Sequence, residues 1–347
     1  MQTRKYLVGL CALVLIILAA CAPAPTATPV PPMATPVPPT VAPTQAPTTA
    51  PTTAPTVAPT ATVVPPTATS VPAAFPLTLT DDAGRSVTLQ AAPKRVVSLA
   101  PSNTEAVYAL GKGDLLVGVT EYCDYPPEAK QKPKIGGYTK IDLEKVVGLT
   151  PDLVLATNIH VKTIVPELEK RGLTVFAIEP QSVSEVIAKL ATFGKLLDAN
   201  DQASKLTAQL KSRMDAVTSK VATAKTKPRV FYEIDKTLYT AGPGSFIDDL
   251  LVKAGANNIA SDAKSQYPQL SPEVVIAKDP EVILLGDMNY GETPEQVKAR
   301  PGWANITAVK TNRVIPITDE NLIARPGPRI IDGLELIARA VYPELFK

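Results

Sequence analysis

One histidine, His160, stands in the 347 residues, beside three cysteines at positions 11, 21 and 123. A lone imidazole argues against a zinc or manganese site built from several histidines. Hydrolytic chemistry needs a nucleophile with a base, or a paired set of carboxylates. No G-x-S-x-G elbow is present, so a surface enzyme has little to build on, and none is expected. Cys123 reads as an inert, partly buried thiol. The most regular chemical feature is instead a pair of carboxylates. Glu144 opens EKVVGLTPDLVLA (144–156), and Glu273 opens EVVIAKDPEVILL (273–285), with apolar pairs, proline and a following acid in register. Each glutamate falls near a helix start, where the helix dipole favours an anion.

The elements that position these residues alternate. LTLTDDAGRSVTL (77–89) reads as a hairpin about Asp-Ala-Gly. RVVSLAPSNTEAVYALG then gives a buried strand and a helix whose start carries a capping-box spacing, Ser102 with Glu105. Short apolar strands and helices alternate from there to residue 199 and again from residue 229, which implies parallel βαβ units. Between them Leu206, Leu210, Met214, Val217 and Val221 form one apolar stripe on a helix of about 24 residues, roughly 36 Å long. That length can join two lobes. A C-terminal helix is expected over residues 328–342. The fold class expected is α/β, with two lobes, each a mainly parallel sheet flanked by helices, joined by one rigid helix.

The first 75 residues read differently. Arg4 and Lys5 precede an uncharged apolar run that ends Leu18-Ala19-Ala20-Cys21, a pattern similar to a bacterial lipoprotein signal with Cys21 as the lipidated residue. Two acyl chains suffice for stable anchoring. An Ala/Pro/Thr/Val tract follows, with no charge between Lys5 and Asp81; such a composition favours an extended tether with a reach on the order of 160 Å. The expected boundaries are a signal at 1–20, lipidated cysteine and tether at 21–75, lobes at 76–199 and 226–347, and an interlobe helix at 200–225. Beyond Lys5 the chain carries 33 basic and 33 acidic residues, so it lacks a basic footprint for nucleic acid. The head is expected outside the cytoplasm, lipid-anchored to the cell membrane, as a monomer.

RVVSLAPSNTEAVYALG, GVTEYCDYPPEA, IGGYTKIDLEKVVGLTPDLVLA, PGWANITAVKTNRVIPI and RPGPRI together resemble the substrate-binding proteins of ABC importers for cobalamin, siderophores and haem. The resemblance spans about residues 93–342, and YCDYPP and IDLEKVV look most like the corrinoid branch. It implies a ligand held between two lobes and delivered to permease subunits, with no catalytic cofactor. Ligand contacts implied by matching motifs are Tyr122, Tyr138, Tyr239 and Tyr267, with Ser102, Asn103, Asp319, Glu320 and Arg325 as polar partners. Glu144 and Glu273 match transporter-docking positions. Haem is the rival ligand, since a tyrosine at the place of Tyr138 ligates iron in haem-binding members, and ferric siderophores come third. His160 follows a strand end where α/β folds place ligands, so an axial metal contact is weighed against a hydrogen-bonded loop histidine.

Overall fold

The computed structural model describes residues 74–347. The signal segment, Cys21 and most of the tether lie outside the described residues. Strands β1 (Leu77–Thr80) and β2 (Ser86–Leu89) pair antiparallel as the expected hairpin. Asp81 closes it, its Oδ1 accepting the N–H groups of Ala83 and Arg85 at 3.0 and 2.9 Å.

Two four-stranded parallel sheets follow. The first holds β3 (Val96–Ser98), β4 (Leu116–Val119), β5 (Leu153–Ala156) and β6 (Val175–Ala177), in the order β4-β3-β5-β6. The second holds β7 (Arg229–Glu233), β8 (Asn257–Asn258), β9 (Val282–Leu285) and β10 (Val314–Pro316), in the order β10-β9-β7-β8. Counted along the chain, both sheets run second, first, third, fourth. β3, β5 and β9 are buried along their whole length, as parallel strands covered on both faces must be.

The repeated phrase is one structural device used twice. The helix Leu143–Gly148 ends before Thr150, at φ +44°, and Pro151; the helix Pro272–Lys278 ends at Asp279, at φ +43°, before Pro280. A left-handed backbone is costly for residues other than glycine, and an arginine secures it both times. Arg95 donates to the carbonyls of Leu149 and Thr150, and Arg229 to those of Lys278 and Asp279. The acid after each proline completes the clasp: Asp152 accepts Arg95 N–H at 3.0 Å and Glu281 accepts Arg229 N–H at 2.9 Å. Pro, acid and arginine together explain the register of the repeat.

The long helix runs over Asn200–Val221, about 33 Å at 1.5 Å per residue. It follows the helix Val183–Leu196, and Arg213 ties it to the C-terminal helix Ile330–Val341 through Asp332 (2.6 Å) and Glu335 (3.0 Å). One apolar core extends from Leu155 and Phe176 through Leu190, Leu210 and Val217 to Leu284 and Leu334. Both lobes therefore share their inner packing. Two smaller clusters cover the outer faces of the two sheets.

The helix after β3 begins at Pro101 with Ala100 as its N-cap and no side-chain cap, so the expected Ser102–Glu105 capping box does not form. Glu105 is buried and turned instead toward the second lobe. Its carboxylate accepts Arg329 Nε at 2.9 Å and Nη2 at 2.7 Å, and Arg325 Nη1 at 3.2 Å. Arg329 also stacks over the Tyr125 ring at 3.9 Å. A charge-assisted bidentate pair of this kind outcompetes a local cap.

Candidate functional site

Two adjoining cavities, sharing Ser102, Tyr138, Ala324 and Pro326, open between the lobes. The inner one, about 270 Å³, is walled by Ser102, Tyr138, Thr157 and Glu179 from the first lobe and by Ser245, Gln266 and Tyr267 from the second. The outer one, about 980 Å³, is lined by Tyr122 and Tyr138 opposite Tyr290, Asn321 and Arg325. The first-lobe wall lies beyond the carboxyl ends of β3, β5 and β6. The strand order places a switch point between β3 and β5, where α/β sheets bind ligands.

Tyr138 sits at the tip of the turn joining Gly136 to Ile141. Gly136, at φ +102°, is required there, because a Cβ would lie 2.4 Å from the Lys140 carbonyl oxygen. The Tyr138 hydroxyl shares a hydrogen bond with Thr157 Oγ1 at 3.1 Å. His160 locks the same residue from behind. Its Nδ1 accepts Thr157 N–H at 3.1 Å and its Nε2 donates to the Tyr138 carbonyl at 2.7 Å, while the two rings meet edge to face at 5.3 Å. Both ring nitrogens are thus engaged, and His160 is buried behind Tyr138 rather than presented to a ligand. Burial holds its pKa below the ordinary imidazole value, so the ring is neutral. Burial likewise pushes the Tyr138 phenol up, with the Glu179 charge adding to it.

Tyr267 projects from the opposite wall on a loop laced to the 240–244 segment, where Gly242 N–H meets Gln266 O at 2.8 Å and Thr240 N–H meets Pro268 O at 3.0 Å. Its side chain is 49% exposed. Partial burial and the charge of Glu179 push its phenol up too.

The other expected contacts divide. Ser102 lines both cavities, and Tyr122 and Arg325 line the outer one. Arg325 is already spoken for by Asp124 at 2.6 Å and by Glu105. Asn103 is buried, its amide donating to the Ala156 carbonyl at 3.1 Å, and does not line the cleft. Tyr239 is exposed and pairs through its backbone with Gln269, outside both cavity walls. Asp319 lies 3.3 Å from Arg329, and Glu320 accepts the Tyr290 hydroxyl at 3.0 Å; neither lines a cavity. Sequence reasoning missed Tyr290 and Glu179. Both follow the carboxyl end of a strand, which is the signal that marks them. Glu144 is exposed and 3.8 Å from Arg171. Glu273 is exposed as well, its pKa lowered by the Ser271 hydroxyl.

The equivalent switch point in the second sheet, between β7 and β9, is filled with charge. Glu233 is buried and held by Arg300 at 2.7 and 2.5 Å, and Arg300 also reaches Glu292 at 2.8 Å. Asp287 is buried beside them, with neither carboxylate oxygen hydrogen-bonded. Burial pushes the Glu233 carboxyl up to about 7 despite Arg300, and raises Asp287 as well. Three acids around one arginine cannot all remain charged in so dry a place.

A periplasmic binding protein family model matches residues 96–320. The chain is 36% identical over 281 residues to the uncharacterized ABC transporter substrate-binding lipoprotein YvrC of Bacillus subtilis, covering 79% of this chain and 88% of that protein. It is 36% identical over 277 residues to a cobalamin-binding protein of Halobacterium salinarum, covering 77% and 74%. Among solved structures, the periplasmic heme-binding protein RhuT of a Roseiflexus species superposes with a TM-score of 0.65 at 27% identity, over 73% of this chain and 99% of that one. The two lobes, the aromatic cleft between them and these matches lead to one conclusion: the chain belongs to the periplasmic binding protein family, whose members bind substrates for ABC importers, and it is not an enzyme.

Proposed function

We propose that this protein captures a corrinoid between Tyr138 and Tyr267 and delivers it to the permease subunits of an ABC importer. The observation that carries the reading is the presence of these two tyrosines, one from each lobe, on one cavity also edged by the hydrogen-bonding groups of Ser102, Thr157, Glu179, Ser245 and Gln266. Aromatic faces suit a flat macrocycle, and amide and hydroxyl groups suit its amide-bearing rim. The cobalamin-binding relative supports this choice. Haem is the second reading, favoured by the heme-binding neighbour and by Tyr138 as an iron ligand. Against it, burial and the Glu179 charge push the Tyr138 phenol up, against the opposing Thr157 hydrogen bond, whereas iron ligation needs a tyrosinate.

Titration of the purified protein with cobalamin and with hemin tests the two readings. Saturable cobalamin binding that weakens in Tyr138→Ala and Tyr267→Ala supports the first. Hemin binding with a tyrosinate spectrum lost in Tyr138→Ala replaces it. Cys21 is the lipid attachment site in this reading, which holds the head on the outer face of the membrane, and Cys21→Ser leaves a precursor that does not partition with membranes. Glu144 and Glu273, carried on equivalent helices of the two lobes, dock against basic pockets of paired permease subunits. Such charges give orientation more than affinity. The double variant Glu144→Arg/Glu273→Arg keeps ligand binding and loses capture by permease in vesicles; unchanged capture removes the docking role.

A further inference from the structure

We infer that Glu179 is a specificity-determining residue of the inner cavity, selecting ligands whose rim carries amides over ligands whose rim carries carboxylates. It is the one charged side chain lining that cavity, among Ser102, Tyr138, Gln181, Gln266, Tyr267 and apolar neighbours. No lysine or arginine lines the same space. The carboxylate takes one protein hydrogen bond among the described residues, from Asn158 N–H to Oε2 at 3.2 Å, so it retains acceptor capacity for a ligand.

Its place is built rather than incidental. Glu179 follows β6, and its own N–H donates to Asp82 Oδ2 at 2.7 Å. Gln181 Nε2 donates to the Glu179 carbonyl at 3.0 Å. Lys189 pairs with the other oxygen of Asp82. Asp82, in the turn of the first hairpin, thus holds the Glu179 backbone at the cleft and also engages Lys189. Burial raises its pKa, with Asp82 contributing, and its charge helps to raise the phenols of both Tyr138 and Tyr267.

A carboxyl here discriminates by simple complementarity. An amide presents an N–H to a carboxylate and a carbonyl to a carboxylic acid, so it is accepted whichever form Glu179 takes. A ligand carboxylate meets either like charge in a half-dry cavity or the cost of taking up a proton. Haem propionates and hydrolysed corrin side chains are therefore disfavoured, and the amides of an intact corrinoid are not.

This inference deepens the corrinoid reading and rests on it for the choice of probe. The test titrates the full-length protein and Glu179→Gln with cobalamin, with cobyrinic acid, whose rim amides are replaced by carboxylic acids, and with hemin. The expected result is that Glu179→Gln raises the affinity for cobyrinic acid relative to cobalamin by about tenfold, the size of one charge interaction across a partly screened gap. An unchanged ratio overturns the role of Glu179 and leaves the corrinoid reading standing. If the wild type binds neither corrin but binds hemin, the corrinoid reading fails. The hemin arm then decides on Glu179 alone: a gain of about tenfold in Glu179→Gln upholds the selection against carboxylates, and no gain overturns it.

Discussion

The two sheets share a strand order, yet the space beyond their central strands is used in opposite ways. Beyond β3 and β5 the first lobe leaves a cavity, edged by Ser102 and Thr157 and roofed by a Tyr138 that His160 holds from behind. Beyond β7 and β9 the second lobe packs Glu233, Asp287 and Glu292 around Arg300. Its cleft aromatics are freer, Tyr267 half-exposed and Tyr290 80% exposed at the end of the 3-10 turn Met288–Tyr290. One wall is preorganised and the other adaptable. A common topology fixes where a crevice forms, while side chains decide whether it becomes a site or a strut. A rigid tyrosine facing a freer one lowers the ordering cost on one side and keeps tolerance for ligand shape on the other.

Glu105 ties the two walls together through Arg325 and Arg329, and its removal is expected to have the largest effect. Glu105→Ala leaves Arg325 and Arg329 without their buried partner; the expected cost is about 3 kcal/mol of unfolding free energy, read from urea denaturation. A loss below about 0.5 kcal/mol would show that the shared core, not the ion pairs, sets the lobe arrangement.

Next in size are the clamping tyrosines. Tyr138→Ala and Tyr267→Ala are each expected to weaken cobalamin binding by roughly 1–3 kcal/mol, with the larger loss at Tyr138, whose position is fixed in advance. Calorimetric titration checks this. Equal losses would show that preorganisation contributes nothing.

The plugged switch point has a titration of its own. Because the Glu233 pKa is raised from 4.5 to about 7, the folded state binds more protons than the unfolded one in that interval. Stability is then full below pH 4.5 and falls as pH rises toward about 7, by on the order of 2 kcal/mol. Glu233→Gln flattens this slope in thermal melts across that range. A wild-type slope retained in the variant assigns the effect elsewhere.

The open wall has the opposite sign and the smallest effect. His160 titrates below its ordinary value of 6.5 when folded, so its contribution is present above that pH and is lost as pH falls through the lowered pKa. His160→Gln is expected to loosen the Tyr138 turn and cost cobalamin affinity about fivefold, near 1 kcal/mol, with fluorescence of the cleft tyrosines reporting greater mobility. Unaltered affinity and mobility would mean that the Gly136–Ile141 turn holds Tyr138 unaided.

Local pattern made much of the fold legible. Alternation in LTLT and SVTL marked the hairpin, and the apolar stripe from Leu206 to Val221 marked the long helix, which ends at Val221 where the stripe does. The doubled phrase marked both helix-to-strand joints, because proline ends a helix through its own neighbours in sequence, whereas the arginine that each following acid holds lies more than fifty positions away. Tyr138 and Tyr267 were reached through family resemblance, and both line the inner cavity, from opposite lobes. Other assignments depended on partners far away along the chain. Glu105 has a capping-box spacing from Ser102, but its partners lie 220 and 224 positions on, at Arg325 and Arg329. His160 looked able to reach a metal, and only the fold supplies the Tyr138 carbonyl that accepts its N–H. Sequence by itself determined the alternation of strands and helices, the length of the connecting helix and the scarcity of catalytic groups, since these are properties of local spacing and composition. The tertiary structure alone decided which tyrosines line one cavity, which switch point stays open and that Glu179 stands in the cavity wall, because burial and long-range charge pairing exist only once distant segments have packed.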